Sequence, residues 1–330
     1  MKTPTGKQFL AALLIVGAFG FLVATVARDL PRIRAFPWQV RPALLLLSTA
    51  SLSLLLAWGV RVWQLTLRRF DVRIGWVALA RVWFLSNVAR YIPGKIWQFV
   101  GVAQLGSSAG LPAAIGVTSL MVHMGFTLVA ASLVGLLLLP PGFTGLEALE
   151  ELRWLTPLAL LAVHPRPIRA ALRLAGRFSR RPLEEWRGSW GDGLWLVALN
   201  GASWLVYGGA FYLFVAALSP IEPTRLAALT AMNALAFVAG YVALLPAGLG
   251  LKELALTGML ASVVPVPVAA ALALATRLWT VAAELIPALP LLATARRHGR
   301  AGSGPADRWR GGGGAVSIPP TPPEERPRTS

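Results

Sequence analysis

The chain has 330 residues, 56% of them hydrophobic and only 14% charged, with a mean hydropathy of +0.63. That balance excludes a pair of ordinary soluble domains and reads as an all-α polytopic membrane protein, because a span in lipid must close its backbone hydrogen bonds internally. The formal charge of +17 would suit nucleic acid, but the basic residues gather beside apolar segments and no recognition module accompanies them, so no nucleic-acid partner is expected.

About 18 or more residues with few charges are enough to cross the roughly 30 Å hydrocarbon layer. The first such run, QFLAALLIVGAFGFLVATVA (8–27), follows Lys2 and Lys7. It exceeds the apolar core of about 7 to 15 residues found in a signal peptide, and reads as a retained helix. Further spans are predicted near 42–60, 113–139, 194–218, 225–245 and 267–293. Two segments are harder: 152–163 is short and carries Pro157, and 249–264 carries Lys252 and Glu253 near its start.

The loop 140–152 is acidic and the loop 164–192 strongly basic, so the positive-inside rule places the second in the cytoplasm and the first outside. With both short segments crossing, the chain makes about eight transmembrane helices in the cytoplasmic (inner) membrane, with both termini cytoplasmic. Arg28, Arg32, Arg34 and Arg41, in the loop 28–41 that this places outside, weigh against that topology. Residues 1–295 form the transmembrane domain, with possible halves 1–140 and 190–295. The stretch PIRAALRLAGRFSRRPLEEW (167–186) reads equally as an amphipathic surface helix or a solvated basic loop. Residues 296–330, rich in Gly, Pro and charge, read as a disordered cytoplasmic tail.

Two places break the apolar pattern. In NVARYIPGKIWQFVG (87–101), Arg90, Tyr91, Pro93, Gly94 and Lys95 split two apolar pieces, and proline there removes a backbone donor and clashes with the preceding turn. In YVALLPAGLGLKELAL (241–256), Pro246, Gly248 and Gly250 precede Lys252 and Glu253. Pro93 precedes Pro112, and Pro246 precedes Pro265, by the same 19 positions, and each second proline opens a long apolar helix. Of the four lysines, one follows each break. Paired interruptions of this kind predict two half-helix sites and a probable internal repeat, the pattern that marks a transporter's central site. Broken backbone in hydrocarbon needs protein or water around it.

Lys95, Lys252, Glu253, Arg277 and Glu284 would together cost on the order of 15 kcal/mol if isolated at the bilayer centre. They are therefore expected to be paired, hydrated or close to the interface. Arg277 and Glu284, seven apart, share one helix face. His123 follows Pro93 by 30 positions and Arg277 follows Pro246 by 31, so the repeat would place them correspondingly. Packing ion pairs, and a satisfied interior histidine at His123, are the plainer readings. For the set that converges on the breaks the binding reading is preferred. Asn200, Trp204, Tyr207 and Phe211 follow helical spacing and read as packing.

RYIPGKIWQ (90–98), the His164–Pro165 turn, LPAGLGLKELAL (245–256) and ATRLWTVAAEL (275–285) together resemble the transmembrane, flippase-like region of the lysylphosphatidylglycerol synthase superfamily, over roughly residues 8–295. Members commonly carry Gly-Arg where this chain has Gly101 and Val102, and an acidic residue near His123. The soluble aminoacyl-transferase domain of full-length synthases is not seen after Arg300, so the resemblance does not imply lysyl transfer.

The expected function is a flippase-like transporter, not an enzyme, moving a phospholipid or other lipid-linked headgroup. Its expected substrate-binding residues are Arg90, Tyr91, Pro93, Gly94, Lys95, His123, Pro246, Gly248, Gly250, Lys252, Glu253, Arg277 and Glu284. The alternatives are a non-transporting accessory subunit that binds a cytoplasmic enzyme through the basic loop, and a membrane-embedded transferase. The four aspartates form no Asp-x-Asp pair and none lies in a span, which disfavours the transferase. Cysteine is absent, and no residue pattern calls for a cofactor or a metal. A homo-oligomer is a further possible partner arrangement.

Overall fold

The computed structural model describes residues 20, 24, 26–89, 97–142, 147–179, 183–242 and 250–301. The predicted first span (8–27) lies almost wholly outside them, and so does the tail beyond residue 301. The compact unit is Met1–Leu291, and the remainder is Leu292–Ser330. In chain order the helices are α1 (Leu30–Ala35), α2 (Pro42–Leu67), α3 (Trp76–Ala89), α4 (Trp97–Ser108), α5 (Ala113–Leu138), α6 (Glu147–Leu152), α7 (Thr156–Leu161), α8 (Pro165–Ser179), α9 (Trp190–Leu218), α10 (Leu226–Val242), α11 (Leu251–Leu260) and α12 (Val266–Ala301). Among the described residues, five helices are long and apolar enough to cross a membrane: 42–70, 113–138, 190–218, 223–242 and 266–291.

Helix starts follow local chemistry. Pro42 opens α2, and Pro112 and Pro265 stand immediately before α5 and α12, where a missing N–H costs nothing. At the start of α9, Ser189 Oγ accepts the Asp192 amide (3.1 Å) while Asp192 Oδ2 accepts the Ser189 amide (2.8 Å), a reciprocal cap.

Helices α2 and α9 run antiparallel and are tied at both ends. Arg69 bonds Asp192 at 2.6 Å at one end, and the Arg41 amide donates to Ala217 O at 2.9 Å at the other. The first we term the basic end, since Arg68, Arg69 and Arg187 lie there. Helix α5 leaves the basic end parallel to α9: the Glu184 amide donates to Thr118 Oγ1, and deeper in the bundle Thr127 Oγ1 bonds Asn200 Oδ1 at 3.0 Å. Trp204 Nε1 donates to Thr127 O, Trp204 stacks on Tyr207, and Phe211 is fully buried, so the predicted stripe is packing.

The helices flanking the two interruptions pack in pairs, α3 with α4 and α10 with α11, and the pairs enter from opposite ends. Helix α3 starts at the basic end and α4 returns there, where Leu111 packs in one cluster with Leu67, Leu79 and Val102. Helix α10 starts at the opposite end, its Thr230 against Gly208, and reaches inward until Tyr241 meets Met124 Sδ at 3.5 Å. Helix α11 turns back, placing Leu260 and Val264 in a cluster with Leu139, Ala228 and Leu229. Helix α12 then crosses towards the basic end: Trp279 stacks on Phe214 (4.8 Å), Ala283 O accepts from Ser53 Oγ, and Ala288 joins Val60 and Trp63.

Among the described residues five helices are long enough to span, so the expected eight crossings are not shown. Segment 249–264 does not cross, because α11 has ten residues and is about 15 Å long, half the hydrocarbon thickness. Segment 152–163 does link the two ends, although it is no single long helix. Arg153 Nε donates to Leu136 O near the end of α5, while Leu160 O accepts from Trp190 Nε1 at the start of α9. The basic loop 164–192 is helical over α8.

Candidate functional site

The second interruption carries the buried charges. Gly250 takes a left-handed φ of 87°, a conformation that favours glycine, and so turns the chain into α11. Three residues on, Glu253 Oε2 accepts the Gly250 amide at 2.8 Å, satisfying one of the orphan donors at the helix start. The other carboxylate oxygen, Oε1, faces Arg277 Nη1 of α12 at 3.6 Å. The side chains are 3% and 17% exposed. The separation is that of an ion pair rather than a hydrogen bond, so Glu253 neutralises Arg277 without a short charge-assisted bond on this edge.

Depth follows from helix rise. Arg277 lies eleven residues into α12, about 16 Å from the end opposite the basic one, and Asn87 eleven residues into α3, about 16 Å from the basic end. Both therefore lie in the interior of the layer. Lys252 and Glu284 are partly buried, Glu284 two turns beyond Arg277 on α12. Arg277 thus pairs with Glu253 of α11, a contact that spacing along α12 alone does not describe.

Arg90, Tyr91, Pro93, Gly94 and Lys95, together with Pro246 and Gly248, lie outside the described residues. The flanks of the first break are described. Gln98 Nε2 donates to Asn87 Oδ1 at 2.8 Å, a buried amide pair that ties α4 to α3 beside the break. Gly101 allows the close approach, since a Cβ there would stand 3.2 Å from Ser86 Cα. Val102 is 1% exposed and abuts Gly116 of α5, so this position is core.

His123 is buried on α5, edge-on to Trp83 with ring centroids 5.5 Å apart. Among the described residues neither His123 Nδ1 nor Trp83 Nε1 has a hydrogen-bond partner. His123 therefore keeps one ring nitrogen unmatched among the described residues. The long helices that follow the two breaks thus each bring a polar side chain against the helix beside the break: His123 against Trp83 of α3, Arg277 against Glu253 of α11.

Asn233 was not singled out by sequence. It is 0% exposed on α10, and among the described residues neither its Oδ1 nor its Nδ2 has a partner. An unmatched buried amide costs about 1–3 kcal/mol, so it marks a polar interior position. The available signal was an asparagine in the middle of LTAMNALAFVAG.

A helical bundle with long crossing helices, two helix pairs entering from opposite ends and a buried carboxylate–guanidinium pair defines a polytopic membrane protein with an internal polar site. The model of the lysylphosphatidylglycerol synthase TM region matches residues 8–288, and the chain belongs to that family. No curated protein matches the chain.

Proposed function

We propose that this protein moves an anionic lipid headgroup across the cytoplasmic membrane. The observation that carries the reading is the Glu253–Arg277 pair, held at 3.6 Å in the bundle interior beside an interrupted helix. A charge pair at that depth is costly, and polar groups kept there mark binding or transport paths. A headgroup phosphate approaching Arg277 would replace Glu253 as the counter-ion, and Glu253, anchored by the Gly250 amide, would neutralise the guanidinium again on release. Membership of a family named for a phospholipid synthase supports a lipid-related role.

The two helix pairs and the long helices after them form an inverted repeat in this reading. Gly116 donates to Pro112 O and Ala269 to Pro265 O, both at 2.9 Å, so the long helices begin alike while running in opposite directions. Inverted repeats give a fixed site access to both faces in turn. The positive-inside rule sets the basic end in the cytoplasm. Proteoliposomes holding a fluorescent anionic phospholipid are expected to exchange it between leaflets faster than protein-free vesicles. Equal rates would reject the proposal.

A further inference from the structure

Helix α8 carries three distinct faces. At 100° per residue, Ile168, Leu172 and Ala175 share one face, and Ile168 and Leu172 pack on a cluster containing Phe70, Trp186 and Leu196. Pro167, Ala171, Leu174 and Phe178 form the adjoining arc, which nothing among the described residues covers: Leu174 is 54% exposed and Phe178 83%. Arg166, Arg173 and Arg177 fall within about 40° of one another on the third face, and all are exposed. The continuous apolar arc is therefore about twice as wide as the core uses.

The position of the helix says what covers the rest. His164 sets its start: its Nδ1 accepts the Arg166 amide at 3.2 Å, and its ring meets Trp190 edge-on at 5.7 Å. Trp190 and Trp195 are exposed on the first turns of α9, and Trp195 lines a small cavity with Arg68 and Arg69. Exposed tryptophans next to arginines at the end of a span mark the headgroup level. Helix α8 thus begins at that level, with one apolar arc uncovered and an arginine face beside it.

We propose that α8 is an interfacial anchor. Leu174 and Phe178 enter the headgroup–acyl boundary of the leaflet at the basic end, while Arg166, Arg173 and Arg177 hold anionic phospholipid headgroups. Arg169 is engaged elsewhere, donating through Nε to Trp186 O at 3.0 Å, and fixes the helix to the bundle. The anchor is independent of transport through the interior.

The absence of cysteine makes the test clean. Full-length Phe178→Cys and, as control, Glu185→Cys at an exposed loop position would each be labelled with an environment-sensitive fluorophore. They would be reconstituted in vesicles of phosphatidylcholine alone or with phosphatidylglycerol. The expected result is quenching of the 178 probe by brominated lipid at least about twofold above the 185 probe, larger again with phosphatidylglycerol. The lipid dependence should vanish in an Arg166→Gln, Arg173→Gln, Arg177→Gln background. Equal quenching of both probes by aqueous iodide, with none by brominated lipid, would overturn the proposal and leave a soluble partner to cover the face. An unchanged lipid dependence in the triple variant would overturn the headgroup role of the arginines.

Discussion

Glu253 and Arg277 stand 24 positions apart in sequence and 3.6 Å apart across α11 and α12, where one carboxylate serves as both helix cap and counter-ion. This couples the turn at Gly250 to the charge on α12. Removing one member leaves the other charged and buried, which typically costs roughly 3–5 kcal/mol. Glu253→Gln and Arg277→Gln are each expected to lower thermal stability in detergent by that order. The double variant should recover much of the loss. Two losses that simply add would show that the residues do not act as a pair.

The Asn87–Gln98 bond holds the first helix pair beside its break. Gln98→Leu leaves the buried Asn87 Oδ1 unmatched and should cost about 1–3 kcal/mol, whereas Asn87→Leu with Gln98→Leu should be close to the parent protein. Denaturant or thermal unfolding of the purified protein compares the two.

The close contact of α9 with α10 depends on Gly208. A Cβ there would overlap Thr230 Oγ1 and Cγ2, so the whole threonine must move. Gly208→Ala is expected to destabilise the bundle by about 1–3 kcal/mol. Gly209→Ala, whose Cβ meets nothing within 4 Å, should be neutral or gain up to about 1 kcal/mol from helix propensity.

Asn233 separates stability from function. Asn233→Leu removes an unmatched amide and should raise the melting temperature, reflecting about 1–3 kcal/mol. If the amide serves the interior path, leaflet exchange should fall in the same variant. A stabilised variant with unaltered exchange would make Asn233 a packing residue only.

Much of the fold was legible because lipid imposes simple rules. Long uncharged runs located the five long helices, and proline with glycine located both interruptions. The break before α11 was legible as a half-helix, but the path of 249–264 was not, since hydropathy measures greasiness along the chain and not the direction in which it turns at Gly250. Linkage of the two ends by α6 and α7 was visible only as a short apolar stretch with Pro157. Arg277 was recognised as interior and on one helix face with Glu284, because helical periodicity reports neighbours on one helix. Glu253 reaches it across a turn that periodicity does not describe. Val102 departs from the family's arginine at a core position against Gly116, where a small apolar side chain fits. Asn233 was hidden because one amide barely alters the hydropathy of α10.

The most direct measurement is leaflet exchange of a fluorescent anionic phospholipid, followed by bleaching of the outer leaflet, in vesicles carrying the parent protein, Arg277→Lys or the double Glu253→Gln, Arg277→Gln variant. The parent protein should exceed empty vesicles. The double variant, folded by its melting curve, should fall to the empty-vesicle rate, and Arg277→Lys, which keeps the charge but loses the guanidinium fork, should lie between them. Exchange by the folded double variant at the parent rate would contradict a headgroup site at Glu253 and Arg277.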